Sequence, residues 1–129
     1  MKELTRAEEE VMQILWKLEK AFVRDIIEEI SGPKPAYNTV STIVRILVKK
    51  GFVKYKAFGK THQYSPTIPK SSYSKFYLDS FMSRYFGGSF ENLVSFFAKH
   101  ENLSLKEMDK LMSHVKHELD HAAGQVNNE

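Results

Sequence analysis

The chain has 129 residues, 42% of them hydrophobic, which allows one domain or two small ones with a core of ordinary size. It contains no cysteine, which excludes disulfide staples, thiolate metal sites and cysteine nucleophiles and agrees with a reducing cytoplasm. The opening MKELTRAEEE lacks the apolar centre of a signal peptide and no run approaches the length that spans a bilayer, so a cytoplasmic protein with no membrane partner is expected.

The net charge of +3 hides an asymmetry. No Asp or Glu occurs from Gly32 through Leu78, although the chain holds 16 of them, and the same stretch carries Lys34, Arg45, Lys49, Lys50, Lys54, Lys56, Lys60, Lys70 and Lys75. At an ordinary acidic content of roughly one residue in eight, so long a gap is not expected on a merely solvated surface. Charge segregated in this way marks a face that meets a polyanion.

In chain order, Thr5 and Glu8 form a capping box that opens a helix whose buried stripe is Val11, Ile14, Leu15 and Leu18. Trp16 falls off that stripe and is expected to make a second contact. Val23, Ile26, Ile27 and Ile30 repeat the pattern in a short second helix, which Ser31, Gly32, Pro33 and Pro35 end. A third helix begins near Tyr37. At about 100° per residue its Val40, Ile43, Val44 and Leu47 share one side, while Asn38, Ser41, Thr42, Arg45 and Lys49 share the other. FVKYKAF and KTHQYSP then alternate around Gly59, which predicts a hairpin with Lys60 near its tip. Three helices followed by a basic hairpin make a winged helix, a variant of the helix-turn-helix.

After Pro66 and Pro69 the composition shifts to aromatics, from Tyr73 to Phe97. Three helices are expected there: one broken at Gly87 and Gly88, one near Ser89 with Phe90, Leu93, Phe96 and Phe97 on one side, and one opened by a Ser104–Glu107 capping box with a stripe of Met108, Leu111, Met112, Val115 and Leu119. So small a unit buries its own surface poorly. It is therefore read as a dimerisation module, with Phe76, Phe81, Phe90, Leu93, Phe96, Phe97, Met108, Leu111, Met112 and Val115 at the contact. The expected organisation is mostly α with a small β-hairpin: a winged-helix DNA-binding domain over residues 1–68, folding by itself even when cut near Ser65, and a helical dimerisation domain over 69–129 whose tail frays after about residue 121.

On the polar side of the third helix, Asn38 can pair with the major-groove edge of adenine, Thr42 can offer a hydroxyl and a methyl, and Arg45 can fork onto guanine. Lys49, Lys54 and Lys60 suit phosphates, which position a protein without reading sequence. A solvated helix face would explain the same residues singly, and a winged helix used only as a protein-interaction module is the rival function; the acid-free surroundings favour double-stranded DNA. His114, His117 and His121 share a helix face at spacings that can bind a metal, but they lie opposite the apolar stripe with no fourth ligand in sight, so the weaker metal reading yields to plain solvation. No phosphate-binding glycine loop, nucleophile elbow or His-Glu metal motif occurs, so neither an enzyme nor a cofactor is expected.

The segments LTRAEEEVMQILW, NTVSTIVRILVKKGFV, GKTHQYSP and RYFGGSFENLVSFFAKHENLS together resemble the BlaI/MecI/CopY family of bacterial repressors, from Leu4 to about Leu119. The resemblance implies a homodimer with an N-terminal winged helix and a C-terminal helical dimerisation domain that binds inverted-repeat operators, often with TACA-like half-sites, and represses resistance or metal-homeostasis genes. It places Asn38, Thr39 and Thr42 where members contact the operator. Members often have Lys at the position of Asn38 and a Ser or Thr cap at that of Phe22. The cysteine cluster of copper-responsive members is absent. The β-lactam branch releases DNA when a sensor protease cuts an Asn-Phe bond, to which Phe96-Phe97 corresponds here.

Overall fold

In the computed structural model, which describes residues 1–127, the Thr5–Glu8 capping box is formed in both directions. Thr5 Oγ1 accepts from the Glu8 N–H at 3.2 Å, and Glu8 Oε1 accepts from the Thr5 N–H at 2.8 Å. It opens α1 (Arg6–Leu18), followed by α2 (Val23–Glu29) and α3 (Tyr37–Lys49). Phe22 has no side chain that could cap α2; the Asp25 carboxylate instead accepts from the Phe22 N–H at 2.9 Å and satisfies the orphan donor.

Strands β1 (Val53–Phe58) and β2 (Thr61–Pro66) pair antiparallel from Val53↔Pro66 to Phe58↔Thr61. Gly59 adopts φ 63°, the conformation that a two-residue hairpin turn asks of its first position. A feature not read from sequence sits on the other edge of β2. Ala21, between α1 and α2, exchanges both backbone hydrogen bonds with Tyr64, at 2.9 and 2.8 Å, and so fastens the wing to the helix-turn-helix.

The chain divides into two compact units, Met1–Ser80 and Phe81–Glu129. The end of the wing near residue 68, where sequence suggested a boundary, is therefore not where contacts change hands, and the reason is Tyr73 on α4 (Lys70–Phe86). Its ring, 5% exposed, packs on Phe52 and Trp16, and its hydroxyl accepts from the buried Leu4 N–H at 2.9 Å. The second contact expected of Trp16 is made here too, its indole N–H donating to the Ile68 carbonyl at 2.8 Å. Phe76, expected at a dimer contact, packs against this same core. A cut near Ser65 would remove Ile68, Tyr73 and Phe76 and leave Leu4, Trp16 and Phe52 without these partners.

One ion pair closes the first unit from within. Lys50, the C-cap of α3, donates to both Glu8 oxygens at 2.7 and 2.9 Å, and the Glu8 side chain is only 6% exposed. Burial pushes the Glu8 carboxyl up, but Lys50 and Thr5 outweigh it and hold the group below its ordinary value.

In the second unit, Phe81 packs on Tyr85 and Phe86, and Phe86 packs edge-on against Phe96. Gly87 and Gly88, at φ 58° and 77°, end α4, and the Gly88 N–H returns to the Met82 carbonyl. Ser89 caps α5 (Phe90–His100), and Ser104 caps α6 (Leu105–Asn127) by accepting from the Glu107 N–H. Helix α6 is described as far as Asn127, past the point near residue 121 where fraying was expected; residues 128 and 129 lie outside the described part.

Two outcomes follow from these contacts. A fragment of residues 1–80 should unfold cooperatively and at higher temperature than one of residues 1–68, and Tyr73→Ala in the longer fragment should remove most of the difference, about 3–5 kcal/mol by chemical denaturation. A carboxyl depressed in the folded state adds stability above about pH 4.5, and this is lost as pH falls through its folded pKa. Glu8→Gln should therefore flatten the drop in melting temperature on acidification through that range, as read by thermal scans at a series of pH values.

Candidate nucleic-acid interface

Helix α3 carries the candidate site because its two faces are so unlike. Val40, Val44 and Leu47 are fully buried, with Ile43 and Val48 packed beside them, and hold one side against the helices α1 and α2. This leaves Asn38, Thr39, Thr42, Arg45 and Lys49 exposed, as sequence predicts, with Ser41 half-buried at the margin. Two of these side chains lie along their own helix. The Thr42 hydroxyl donates to the Asn38 carbonyl at 2.8 Å, and Arg45 Nε donates to the Ser41 carbonyl at 3.2 Å. Thr42 thus keeps an accepting lone pair and a methyl group outward, and Arg45 keeps its terminal amino groups, the pair that can fork onto guanine O6 and N7.

Not every cation of the acid-free stretch is available. Lys50 is held by Glu8, Lys75 pairs with Asp79 at 2.9 Å, and Lys34 donates to the Glu28 and Ile30 carbonyls. Lys49, Lys54, Lys56, Lys60 and Lys70 are exposed and enter no ion pair among the described residues. Four of these five lie at the C-terminal end of α3 and on the wing, which make the main electrostatic footprint. Lys60 sits in the turn between Phe58 and Thr61, and Lys54 and Lys56 stand opposite Ser65 and Gln63.

The other face of the wing is aromatic, which was not foreseen. Tyr55 stacks on His62 with ring centroids 4.3 Å apart and planes 7° from parallel, and Tyr64 lies next to both. Burial pushes the Tyr64 phenol up; Arg45 opposes this, and Tyr37 and Tyr55 add to it, so these groups of α3 and the wing share one electrostatic neighbourhood. The readable signal was the alternation that puts Tyr55, His62 and Tyr64 on one face.

The second unit keeps much of its apolar surface uncovered. Phe90 is 66% exposed, Phe96 and Phe97 50% each, and Met112 59%; Leu111 and Val115 are exposed as well, while Leu93, Phe81 and Met108 are half-buried. The Phe96-Phe97 bond lies inside α5. The histidines of α6 face outward: His114 reaches Glu118 at 3.6 Å, and His117 and His121 stack at 6.4 Å. Among the described residues no three His, Asp or Glu side chains converge to hold a metal.

A substitution pair separates the two kinds of contact. Lys60→Ala should weaken binding to all DNA sequences alike and lower the salt slope by about one, whereas Thr42→Ala should change the order of preferred sequences; binding to a randomised duplex pool followed by sequencing, with titrations at several salt concentrations, reads both.

Comparison with known proteins bears on this interface. The penicillinase repressor family model matches residues 4–117. The methicillin resistance regulatory protein MecI of Staphylococcus aureus strain N315 is 34% identical over 110 residues, covering 84% of this chain and 89% of that protein. The penicillinase repressor of Bacillus licheniformis is 29% identical over 110 residues, covering 84% and 86%. Among solved structures, a complex of hsRosR-S4 superposes with a TM-score of 0.53 at 17% identity, covering 96% of this chain and 94% of that one, a likeness of fold.

Proposed function

We propose that this chain, which belongs to the penicillinase repressor family, represses transcription by binding an inverted-repeat operator as a homodimer. The DNA-binding, repressing role is that of the family, whose curated relatives are regulators of antibiotic resistance rather than enzymes. The observation that carries it onto these residues is the outward face of α3, with Asn38, Thr42 and Arg45 exposed and no acid between Gly32 and Leu78. Asn38, Thr39, Ser41, Thr42 and Arg45 read bases, and Lys49, Lys54 and Lys60 hold phosphates. The rival reading, a winged helix that binds only proteins, gives no reason for that missing charge.

The homodimer is supported by the exposed apolar side chains of α5 and α6. Burying Phe90, Phe96, Phe97, Met112 and their neighbours against a second copy would stabilise by roughly 2 kcal/mol per large side chain. Two linked half-sites then raise the effective concentration of the second reading head. A sensor protease that cuts at or near Phe96-Phe97 would divide α5 and detach α6 with its apolar stripe. The family's Asn is replaced by Phe96, so such a protease would show altered preference. No helix among the described residues is long and apolar enough to cross a membrane, and the operator places the protein with the chromosome in the cytoplasm.

The full chain should behave as a dimer by light scattering and the 1–80 fragment as a monomer with far weaker operator binding. For six or more phosphate contacts, affinity should drop by about 10³-fold or more between 50 and 200 mM salt. Salt-independent binding, or a monomeric full chain, would contradict this reading. Mass spectrometry of the protein from β-lactam-treated cells should find a break near Phe96-Phe97; derepression with an intact chain would remove the proteolytic switch.

A further inference from the structure

The aromatic face of the wing has no role in the base-reading and lysine contacts described so far. Tyr55 and His62 are diagonal neighbours across the hairpin, since Tyr55 pairs with Tyr64 and Ala57 with His62. A diagonal aromatic pair of this kind can serve the hairpin alone, contributing a few tenths of a kcal/mol to about 1 kcal/mol. Two features go beyond that. Tyr55 is 52% exposed and His62 half-buried, so the stack is not covered by the core as Tyr64 is. The face it continues shares its surroundings with Arg45 and Tyr37 of the recognition helix, in a stretch from Gly32 to Leu78 without a carboxylate.

We propose that the stacked Tyr55–His62 pair is a DNA-contacting element that donates its hydroxyl and ring N–H groups to phosphates beside the groove entered by α3. The inference rests on the repressor reading of that helix. Stacking fixes both rings, so their polar ends are presented with little rotamer entropy left to lose on binding. Tyr55 offers an O–H donor, and His62 offers one N–H in either neutral tautomer and two when protonated. Hydrogen bonds from such groups to a charged phosphate position the protein without reading bases. The wing would then meet the duplex with a preorganised aromatic face as well as with flexible lysines.

Tyr55→Phe removes only the hydroxyl and His62→Phe keeps the stack while removing the ring donors; both are made in the full chain. Binding is followed by fluorescence anisotropy on a labelled duplex carrying the promoter of the chain's own operon and on a scrambled duplex of equal length, beside Arg45→Ala. Each aromatic variant should weaken binding about tenfold on both duplexes, the loss of one hydrogen bond to a charged group, with an unchanged melting temperature. Should His62→Phe lower that temperature, Tyr55→Phe decides by itself. Unchanged affinity of the aromatic variants while Arg45→Ala weakens promoter binding would overturn the proposal and leave the repressor reading standing. A loss confined to the promoter duplex would make the pair a base reader and overturn the phosphate assignment. Full binding by Arg45→Ala as well would overturn both readings.

Discussion

The interface depends on the burial of one edge of α3. Val40, Val44 and Leu47 are at most 1% exposed, and because they recur at helical spacing they fix not only where α3 lies but which way it is turned. A rotation of even one residue's worth, about 100°, would bury Arg45 and expose Val44. The Lys50–Glu8 pair adds a longitudinal limit, since it ties the last turn of α3 to the first turn of α1. A lone Glu8 at this depth would be expensive, and so would sliding the helix away from it. Reading DNA requires a rigid presentation of a few side chains, and here the rigidity comes from the face opposite the proposed DNA contacts.

The first unit was legible because its signals are local or periodic. Capping at Thr5, the stripes of α1 to α3 and the alternation around Gly59 are set within a few residues of each other, and the structure places them as the pattern predicts. What was not legible is long-range. The Leu4–Tyr73 hydrogen bond joins groups 69 residues apart, and no spacing rule announces it. Aromatics of α4 that sequence assigned together serve two masters: Tyr73 and Phe76 belong to the winged-helix core, while Phe81 and Phe86 belong to the second unit. A helix that presents rings on more than one side has no single stripe from which to choose. The wing's aromatic face is masked in the sequence for another reason: the lysines that alternate with it carry the stronger compositional signal.

The second unit shows the opposite imbalance. Its caps and helices are well formed, yet α5 has no buried residue and α6 leaves Leu111, Met112, Val115 and Leu119 exposed. Local structure is settled there while burial is not, a gap that the proposed second copy would fill. It also separates two demands on the chain. On that proposal the first unit is complete in one copy, whereas the second gains stability on association, which would make DNA affinity depend on protein concentration.

The hydrogen bonds that Thr42 and Arg45 make to their own helix bear on how such a protein searches. Held this way, the Thr42 hydroxyl proton and the Arg45 Nε proton need nothing from a base, and only the terminal amino groups of Arg45 and the outward lone pair and methyl of Thr42 are left to meet one. On the proposed reading, a wrong base pair then costs the contacts of those outward groups while the two backbone-bonded donors stay satisfied, which softens the penalty. The lysines would govern how fast the protein arrives, and the outward groups of α3 how long it stays.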